Sequence, residues 1–132
     1  MIHTNELMLG NWVEYAVGNG KRSIPMQVTG IFSDTVYLNF EGNEGDVFEE
    51  EEENLLGIPL TEELAKYIGF NESAEGKNRY WYESVGGRVT LHFDTHSINL
   101  VGIYGMVQGI YYLHQLQNAY FMLTGKQLEV RL

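Results

Sequence analysis

The sequence predicts an α+β fold in a single domain of 132 residues. Short runs with a period of two, typical of half-buried strands, occupy the first third of the chain and recur around Gly86-Gly87. An apolar stripe with helical spacing follows near the C-terminus. We therefore expect one domain of three blocks: strands in residues 1–48, an acidic loop with a short helix in 49–76, and strands with a long helix in 77–132.

The first block predicts a small β-meander whose strands have SH3-like lengths. Apolar side chains recur at every second position, as one face of a strand requires. The segment 18–21 (G-N-G-K) and the pair Ser33-Asp34 are turn signals between the strands. The expected strands cover residues 12–17, 26–31 and 35–40.

The net charge of −10 comes from one segment of the chain. Residues 41–63 hold ten acids and no Lys or Arg, whereas the rest holds eight of each (18 − 10 = 8 acids against 8 bases). This balance argues against duplex-DNA binding, which requires a basic surface. The five glutamates at 49–53 are expected to form a solvated loop or strand end, because calcium binding needs acids spaced so that their oxygens converge.

A short helix is expected after the acidic segment. Thr61 is a suitable N-cap, and the two acids after it favour the positive end of the helix dipole. Gly69 suits the C′ position, where a left-handed residue ends a helix. The side chains expected to face the core are Leu64, Tyr67 and Ile68.

Gly86-Gly87 predicts a two-residue β-hairpin turn. Around it, Trp81 would pair with His92 and Arg79 with Asp94, and this register separates apolar from polar side chains. A third strand is expected near residues 97–101. The apolar face would carry Tyr80, Tyr82, Val89, Leu91 and Phe93, and the polar face Arg79, Trp81, Glu83, Arg88, Thr90, His92 and Asp94.

The long C-terminal helix is expected from about residue 106 to Thr124, ending before Gly125. It would be ~27 Å long, enough to cover the three-stranded antiparallel meander. Its apolar stripe consists of Leu113, Leu116, Tyr120 and Leu123. A last short strand is expected from the alternation of Leu128, Val130 and Leu132.

The sequence carries no signature of a metal, a cofactor or a catalytic nucleophile. The four histidines lack zinc-ligand spacing, and cysteine is absent. No serine lies in a nucleophile elbow. Glu83 and Asp94 each have a basic neighbour in the expected register, which favours ion pairs over paired acid–base catalysis. We therefore expect no cofactor, no metal and no catalytic residue.

The polar face of the hairpin is the candidate ligand surface. Its cations and its indole suit a small anionic or nucleotide ligand, through charge-assisted hydrogen bonds and stacking. Polar side chains on the long helix are further candidates, expected to lie beside this face. The alternatives are a solvated sheet face, a dimer contact, and helix amides that satisfy strand-edge carbonyls. The candidate residues are Arg79, Trp81, Arg88, His92, His114, Gln117 and Asn118, with Lys77 nearby.

Composition also predicts location and assembly. No run approaches the ~20 apolar residues that cross a bilayer, and the N-terminus lacks the layout of a signal peptide. We expect a cytoplasmic protein with no membrane association. The nine tyrosines favour homo-oligomerisation, since aromatic side chains are enriched at interfaces.

Three motifs along the chain are specific in order and spacing. They are N-E-L-M-L-G-N-W-V at 5–13, G-I-P-L-T-E-E-L at 57–64 with I-G-F at 68–70, and H-Q-L-Q-N through L-T-G at 114–125. Together they resemble a family of small uncharacterised proteins from genomes, prophages and mobile elements of gut bacteria. The chain departs from that pattern at Met8, where the family tends to have a basic residue, at Tyr67-Ile68 before Gly69, and in its longer acidic segment. The resemblance implies a phage or mobile-element setting, and no reaction or substrate.

These observations favour a non-catalytic accessory binding protein of a phage or mobile element. The concrete version is counter-defence in the host cytoplasm, by sequestering a nucleotide-derived signal or by blocking a host protein. Two alternatives stay open. One is a small hydrolase with His92 or His114 as general base, and the other is a structural or assembly component of a virion.

Overall fold

The computed structural model describes residues 2–40, 48–84 and 87–132. They group into two compact units, Met1–Ile58 and Pro59–Leu132. Each unit has its own antiparallel sheet, and the second carries the longer, C-terminal helix. The α+β class predicted from the sequence is therefore confirmed. The single domain of three blocks stays a prediction.

The N-terminal unit contains a six-stranded antiparallel sheet in its described residues. Strand β1 pairs with β2, β3 and β6, and the order continues through β4 to β5 at the edge. The three expected strands are present, but the acidic segment contributes strands as well, so the sheet is larger than the expected meander. The strands are β1 Trp12–Gly18, β2 Lys21–Arg22, β3 Met26–Ile31, β4 Thr35–Asn39, β5 Phe48–Glu51 and β6 Leu55–Leu56.

The turn between β1 and β2 confirms the signal at 18–21. Gly18 pairs with Lys21 across the turn. Asn19 and Gly20 both have positive φ angles, 54° and 72°. Two consecutive left-handed residues are what a type I′ turn requires, and its twist matches that of the flanking strands.

The core of this unit lies on one face of the sheet. Val13 and Leu38, from β1 and β4, are at most 1 % exposed. Tyr15 and Phe48 pack against this cluster from its margin, with ring centroids 5.0 Å apart. The buried members are Ile2, Leu7, Val13, Met26, Val28, Val36, Leu38 and Leu55.

Glutamates 49–53 run from edge strand β5 into a 3₁₀ turn, Glu52–Asn54. Glu50 and Glu52 are half-buried and accept hydrogen bonds, from Asn54 Nδ2 at 2.7 Å and from the Thr4 amide at 2.9 Å. The other three glutamates are exposed. Exposed like charges on an edge strand oppose its pairing with another chain. The segment is therefore partly structural, not only a solvated strand end.

Glu51 is the last residue of this edge strand and precedes the 3₁₀ turn that contains Glu53. A hydrogen bond and charge repulsion from Glu53 raise the pKa of the Glu51 carboxyl, with smaller contributions from burial and from Asp34. A carboxyl with a raised folded-state pKa stabilises the fold at low pH, and that contribution is lost as the pH rises through the folded pKa.

Replacing Glu51 by Gln should therefore raise the melting temperature at pH 7, because one of the repelling charges is removed. The increase should disappear near pH 4, where the wild-type carboxyl is itself protonated. Thermal denaturation followed by circular dichroism at both pH values measures this. Glu49→Gln is the matched control and should give a smaller increase. An equal increase at both pH values would contradict charge repulsion as the cause.

The C-terminal unit contains a five-stranded antiparallel sheet in its described residues, in the order β11-β10-β9-β8-β7. It has five strands in place of the expected three-stranded meander, because a two-residue strand lies at each edge. Edge strand β11 comes from a segment that we assigned to the long helix. The strands are β7 Asn71–Glu72, β8 Arg79–Ser84, β9 Gly87–Phe93, β10 Ile98–Val101 and β11 Met106–Val107.

The register between β8 and β9 differs from the expected one by two residues. Arg79 lies opposite His92, not Asp94, and Trp81 lies opposite Thr90, not His92. A shift of two residues preserves the alternation of side chains, so the two expected faces are retained although the expected pairs were wrong.

The cause of this shift is the position of Gly87. It pairs with Ser84 as the first residue of β9, whereas we had assigned it to the turn. The other expected turn residue, Gly86, lies outside the described residues. Gly87 has a φ of 117°, and a Cβ at this position would lie 2.4 Å from Ile103 Cδ1. Because residues with a side chain rarely adopt such a φ, the backbone conformation favours glycine at this position.

The short helix α1, Glu62–Tyr67, begins and ends as predicted. Thr61 Oγ1 accepts a hydrogen bond from the Leu64 amide at 3.1 Å, and Gly69 has a φ of 112°. Its buried residue is Ala65, with Ile68 also buried just after the helix. Tyr67 is 69 % exposed, so its expected place in the core was wrong. Two residues after Ala65, it lies about 200° further around the helix.

The C-terminal helix α2, Leu113–Thr124, is shorter than predicted. Its 12 residues span about 18 Å. The expected start near residue 106 was wrong, because β11 occupies that position and Gly109 has a φ of 74°. Gln115 Oε1 caps the actual start by accepting hydrogen bonds from the amides of Tyr111 and Tyr112, at 2.8 and 3.0 Å. No helix within the described ranges is long and apolar enough to span a bilayer.

The end of α2 and its apolar stripe are confirmed. Gly125 ends the helix in the left-handed conformation, with a φ of 72°. Leu113, Leu116 and Tyr120 are buried, and Leu123 is half-buried. After the helix, residues 128 and 130 are buried as their alternation predicted, but 126–132 form no strand.

Aromatic side chains join both helices to the sheet. Tyr82 packs edge-on against Tyr120 of α2 and tilted against Phe70, with centroid distances of 5.7 and 5.2 Å. Tyr80, which is 4 % exposed, donates a hydrogen bond from its hydroxyl to Glu62 Oε1 at 2.9 Å. Burial and this hydrogen bond raise the pKa of Tyr80 to about 12.

Replacing Tyr80 by Phe should lower the free energy of unfolding by about 1–2 kcal/mol at pH 7, because the hydroxyl bond to a carboxylate is lost. A raised tyrosine pKa stabilises the fold below pH 10, and this contribution is lost as the pH rises from 10 through about 12. Wild-type and variant should therefore converge in that window. Urea denaturation at pH 8 and pH 11 measures the difference, and an undiminished difference at pH 11 would contradict the assignment.

Candidate functional site

The face of the C-terminal sheet opposite both helices carries the candidate ligand surface, which we call the outer face. Both helices contact the apolar face, through Glu62 on Tyr80 and Tyr120 on Tyr82. Because successive side chains of a strand point to opposite faces, the residues between those of the apolar face have their side chains on the outer face. Its members on the three central strands are Arg79, Trp81, Glu83, Arg88, Thr90, His92, Asn99 and Val101.

Trp81 and Arg88 form the centre of this face. Arg88 Cζ lies 4.1 Å from the centre of the Trp81 ring, within the range of a cation–π interaction. The Arg88 Nε also donates a hydrogen bond to Glu83 Oε2 at 3.0 Å, and these two residues are direct cross-strand partners. The carboxylate holds the planar guanidinium over the indole.

Arg79 and His92 form a second cationic position, directly opposite each other on β8 and β9. Arg79 Nη1 donates a hydrogen bond to Asp94 Oδ1 at 3.0 Å. Burial lowers the pKa of His92, the Arg79 charge lowers it further, and Asp94 partly offsets both. The half-buried imidazole is therefore neutral near pH 7.

The ion pairs expected for Glu83 and Asp94 are confirmed, with N–O distances of 3.0 Å to Arg88 and Arg79 respectively. Both carboxylates thus accept hydrogen bonds from arginines. Within the described ranges, no group of three or more His, Asp or Glu side chains is placed to hold a metal ion.

An apolar row crosses the outer face between the two cationic positions. Thr90 pairs with Trp81 on one side and with Val101 on the other, and Val101 pairs with Met106. Sequence reasoning missed Val101 and Met106 because it assigned Met106 to the helix. The sequence signal for β11 was the pair Gly102 and Gly105. These glycines close a tight turn between β10 and β11, with 2.8 Å between the Gly102 amide nitrogen and the Gly105 carbonyl oxygen.

The three candidate residues on α2 do not lie on the outer face, since α2 packs against the opposite face of the sheet. His114 is completely buried and stacks on Tyr112, with centroids 5.9 Å apart and planes at 9°. Gln117 is 8 % exposed and Asn118 is half-buried. The structure therefore brings together Arg79, Trp81, Arg88 and His92, and places His114, Gln117 and Asn118 elsewhere.

Comparison of the chain with protein-family models, curated proteins and solved structures gives no match.

Replacing Arg79 by Ala should raise the pKa of His92 toward its ordinary value near 6.5, because a neighbouring positive charge and part of the burial are removed. NMR titration of the imidazole carbon-bound protons measures this, with His92→Ala to assign the signal. Arg131→Ala, which removes an exposed arginine of the same unit, is the control and should leave the pKa unchanged. An unchanged or lower pKa of His92 in Arg79→Ala would contradict the effect described here for the Arg79 charge.

Proposed function

We propose that this chain is a non-catalytic binding protein and that the outer face of its C-terminal sheet binds a nucleotide-derived ligand. The observation that carries the proposal is the Arg88 guanidinium held over the Trp81 indole, with Arg79 and His92 one row away on the same face. An aromatic base and a phosphate are the two chemical groups that this combination recognises.

The spacing of the two cationic positions supports a ligand of this kind. Side chains two residues apart on a strand are separated by ~6–7 Å, so Arg79 lies one such step from Trp81. A base would stack on the planar guanidinium of Arg88, as bases do on arginine and aromatic planes in nucleic-acid complexes. A phosphate would then receive charge-assisted hydrogen bonds from Arg79 and, once protonated, from His92.

Both arginines already bind carboxylates, so the ligand must compete with Glu83 and Asp94. The four side chains are between 33 % and 62 % exposed. Ion pairs at this exposure contribute about 0–1 kcal/mol, because water and salt screen them. A phosphate can therefore displace either carboxylate at small cost.

The distribution of charge also supports anion binding to this unit. Residues 59–132 hold seven acids and six bases, a net charge of −1 (6 − 7), whereas residues 1–58 hold eleven acids and two bases, a net charge of −9 (2 − 11). Six of the eight bases thus belong to the unit with the outer face. A small anion meets little net repulsion there, but a duplex would find no broad basic surface.

The motif resemblance supports the biological setting of the proposal. A phage or mobile-element protein that binds a nucleotide-derived signal without hydrolysing it would act by sequestering that signal in the host cytoplasm. Blocking a host protein with the same face is the second form of this proposal, and it would leave small nucleotides unbound.

Incubation with a panel of mononucleotides, cyclic nucleotides and ADP-ribose-type nucleotides should raise the melting temperature with at least one of them. A ligand at 100 times its Kd stabilises by about 2.7 kcal/mol. Titration calorimetry should show at least ten-fold weaker binding for Arg88→Ala and for Arg79→Ala. Binding should strengthen as the pH falls toward 6, because protonated His92 gains a phosphate partner.

The matched control for these variants is Arg131→Ala, which should bind as the wild type does. Arg88→Lys keeps the charge but not the planar group, so it separates stacking from charge. Absence of a shift with every nucleotide, or unchanged binding by Arg88→Ala, would overturn the sequestering form of the proposal.

The hydrolase alternative has one observation in its favour, the neutral imidazole of His92 on an exposed face. His114, the other candidate base, is completely buried. Chromatography of the incubated nucleotides distinguishes the two functions. The binding proposal predicts intact ligand, and hydrolysis predicts product that is lost in His92→Ala.

A further inference from the structure

The segment 95–125 contains no Asp, Glu, Lys or Arg, although 20 % of the chain is charged. At that frequency about six charged residues would be expected over these 31 positions (125 − 95 + 1). The segment includes β10, β11 and α2. It also carries every large exposed apolar side chain of the C-terminal unit described in the structure, apart from Tyr67.

Five of these side chains belong to the β10–β11 turn, to β11 and to the last turns of α2. The turn packs on the helix, since a Cβ on Gly102 would lie 3.6 Å from Leu123 Cβ and one on Gly105 would lie 3.5 Å from Leu123 Cδ2. We call these five residues the apolar end. They are Ile103 (65 % exposed), Tyr104 (93 %), Met106 (51 %), Phe121 (38 %) and Met122 (72 %).

Strand β11 gives the apolar end a second property of an interface. It is the edge of the sheet, and β10 is its partner in the described sheet order. An uncharged edge strand is a template for pairing with another chain. Natural edge strands are usually protected by charge, as β5 of this chain is by its glutamates. Strand β11, Met106–Val107, has no charged residue to protect it.

We propose that two copies of this chain associate through their apolar ends, with the β11 strands antiparallel across a two-fold axis. An isologous contact of this kind requires a surface that is complementary to itself. A charged surface would meet its own charge there, whereas an uncharged surface of tyrosine, methionine and isoleucine does not. No acid of this chain belongs to residues 95–125, so no carboxylate of this segment would meet its own copy across the axis.

The exposed area is close to what a stable dimer needs. The exposed fractions of the five side chains are equivalent to about three fully exposed ones. At roughly 150–250 Å² each, they present on the order of 500–800 Å². A standard interface buries about 800 Å² from each partner. The neighbouring backbone of β11 supplies part of the remainder.

The composition of the surface favours a second copy over a partner of different chemistry. An acidic or basic protein would be recognised by charges, and residues 95–125 have none. This surface adjoins the outer face, since Met106 lies in the same cross-strand row as Trp81, whereas Arg79 and Arg88 themselves lie on strands β8 and β9.

Sedimentation velocity at protein concentrations from about 1 to 200 µM tests the proposal. The wild type should dimerise reversibly, and Tyr104→Glu should weaken the dimer at least ten-fold by placing a like charge on both sides of the axis. Tyr67→Glu is the matched control, because it makes the same change at a tyrosine that is 69 % exposed outside the apolar end. It should dimerise as the wild type does.

Met122→Glu gives an independent variant on the helix side and should weaken the dimer in the same direction. Circular dichroism melts establish that each variant is folded. A wild type that stays monomeric at 200 µM would overturn the proposal and leave the apolar end to a different partner. Equal weakening by Tyr67→Glu and Tyr104→Glu would also overturn it, since the effect would then be one of net charge.

Discussion

The antiparallel pairing of β8 with β9 is the interaction on which the C-terminal unit depends. These strands lie at the centre of the sheet, and their pairing puts Tyr80 and Leu91 side by side in the core, 4 % and 0 % exposed. Through Tyr80 and Tyr82 the same pairing supports both helices. Because successive side chains of a strand point to opposite faces, a residue that packs into the core is followed by one that lies on the outer face.

The outer face is therefore a consequence of the core, and its chemistry depends on which polar residues lie between the buried ones. Arg88 is held over Trp81 by Glu83, and Arg79 is held beside His92 by Asp94. Each guanidinium has an acidic partner, so the face is preorganised yet nearly neutral. Such a surface suits a ligand that offers both a flat ring and a phosphate, since a simple anion would gain little by replacing one carboxylate with another.

Two edges of the sheets differ in a way that bears on assembly. Strand β5 carries exposed glutamates, and a hydrogen bond and charge repulsion from Glu53 in the following turn raise the pKa of Glu51. Strand β11 is uncharged and is followed by a segment without Asp, Glu, Lys or Arg up to Gly125. The charged edge strand, β5, thus belongs to the N-terminal unit, and the uncharged edge strand, β11, to the C-terminal unit. We expect association at β11.

The apolar periodicity of helix α2 predicted its buried side, but not the residue at which the helix begins. The stripe of Leu113, Leu116 and Tyr120 and the terminal Gly125 were predictable, because burial requires that spacing and a left-handed end favours glycine. The first residue of the helix could not be predicted, because Met106 and Val107 suit a strand as well as a helix. Their pairing with β10 decides between the two, and that contact is not local in sequence.

The sequence by itself determined the α+β class, the two faces of the β8–β9 hairpin and the grouping of Arg79, Trp81, Arg88 and His92. All of these follow from short-range periodicity. Only the tertiary structure decided the register, since a shift of two residues leaves the alternation unchanged and the approach of Ile103 to Gly87 has no local signal. It also separated His114, Gln117 and Asn118 from the outer face, because α2 packs on the apolar face through Tyr120 and Tyr82, and this contact is not local in sequence.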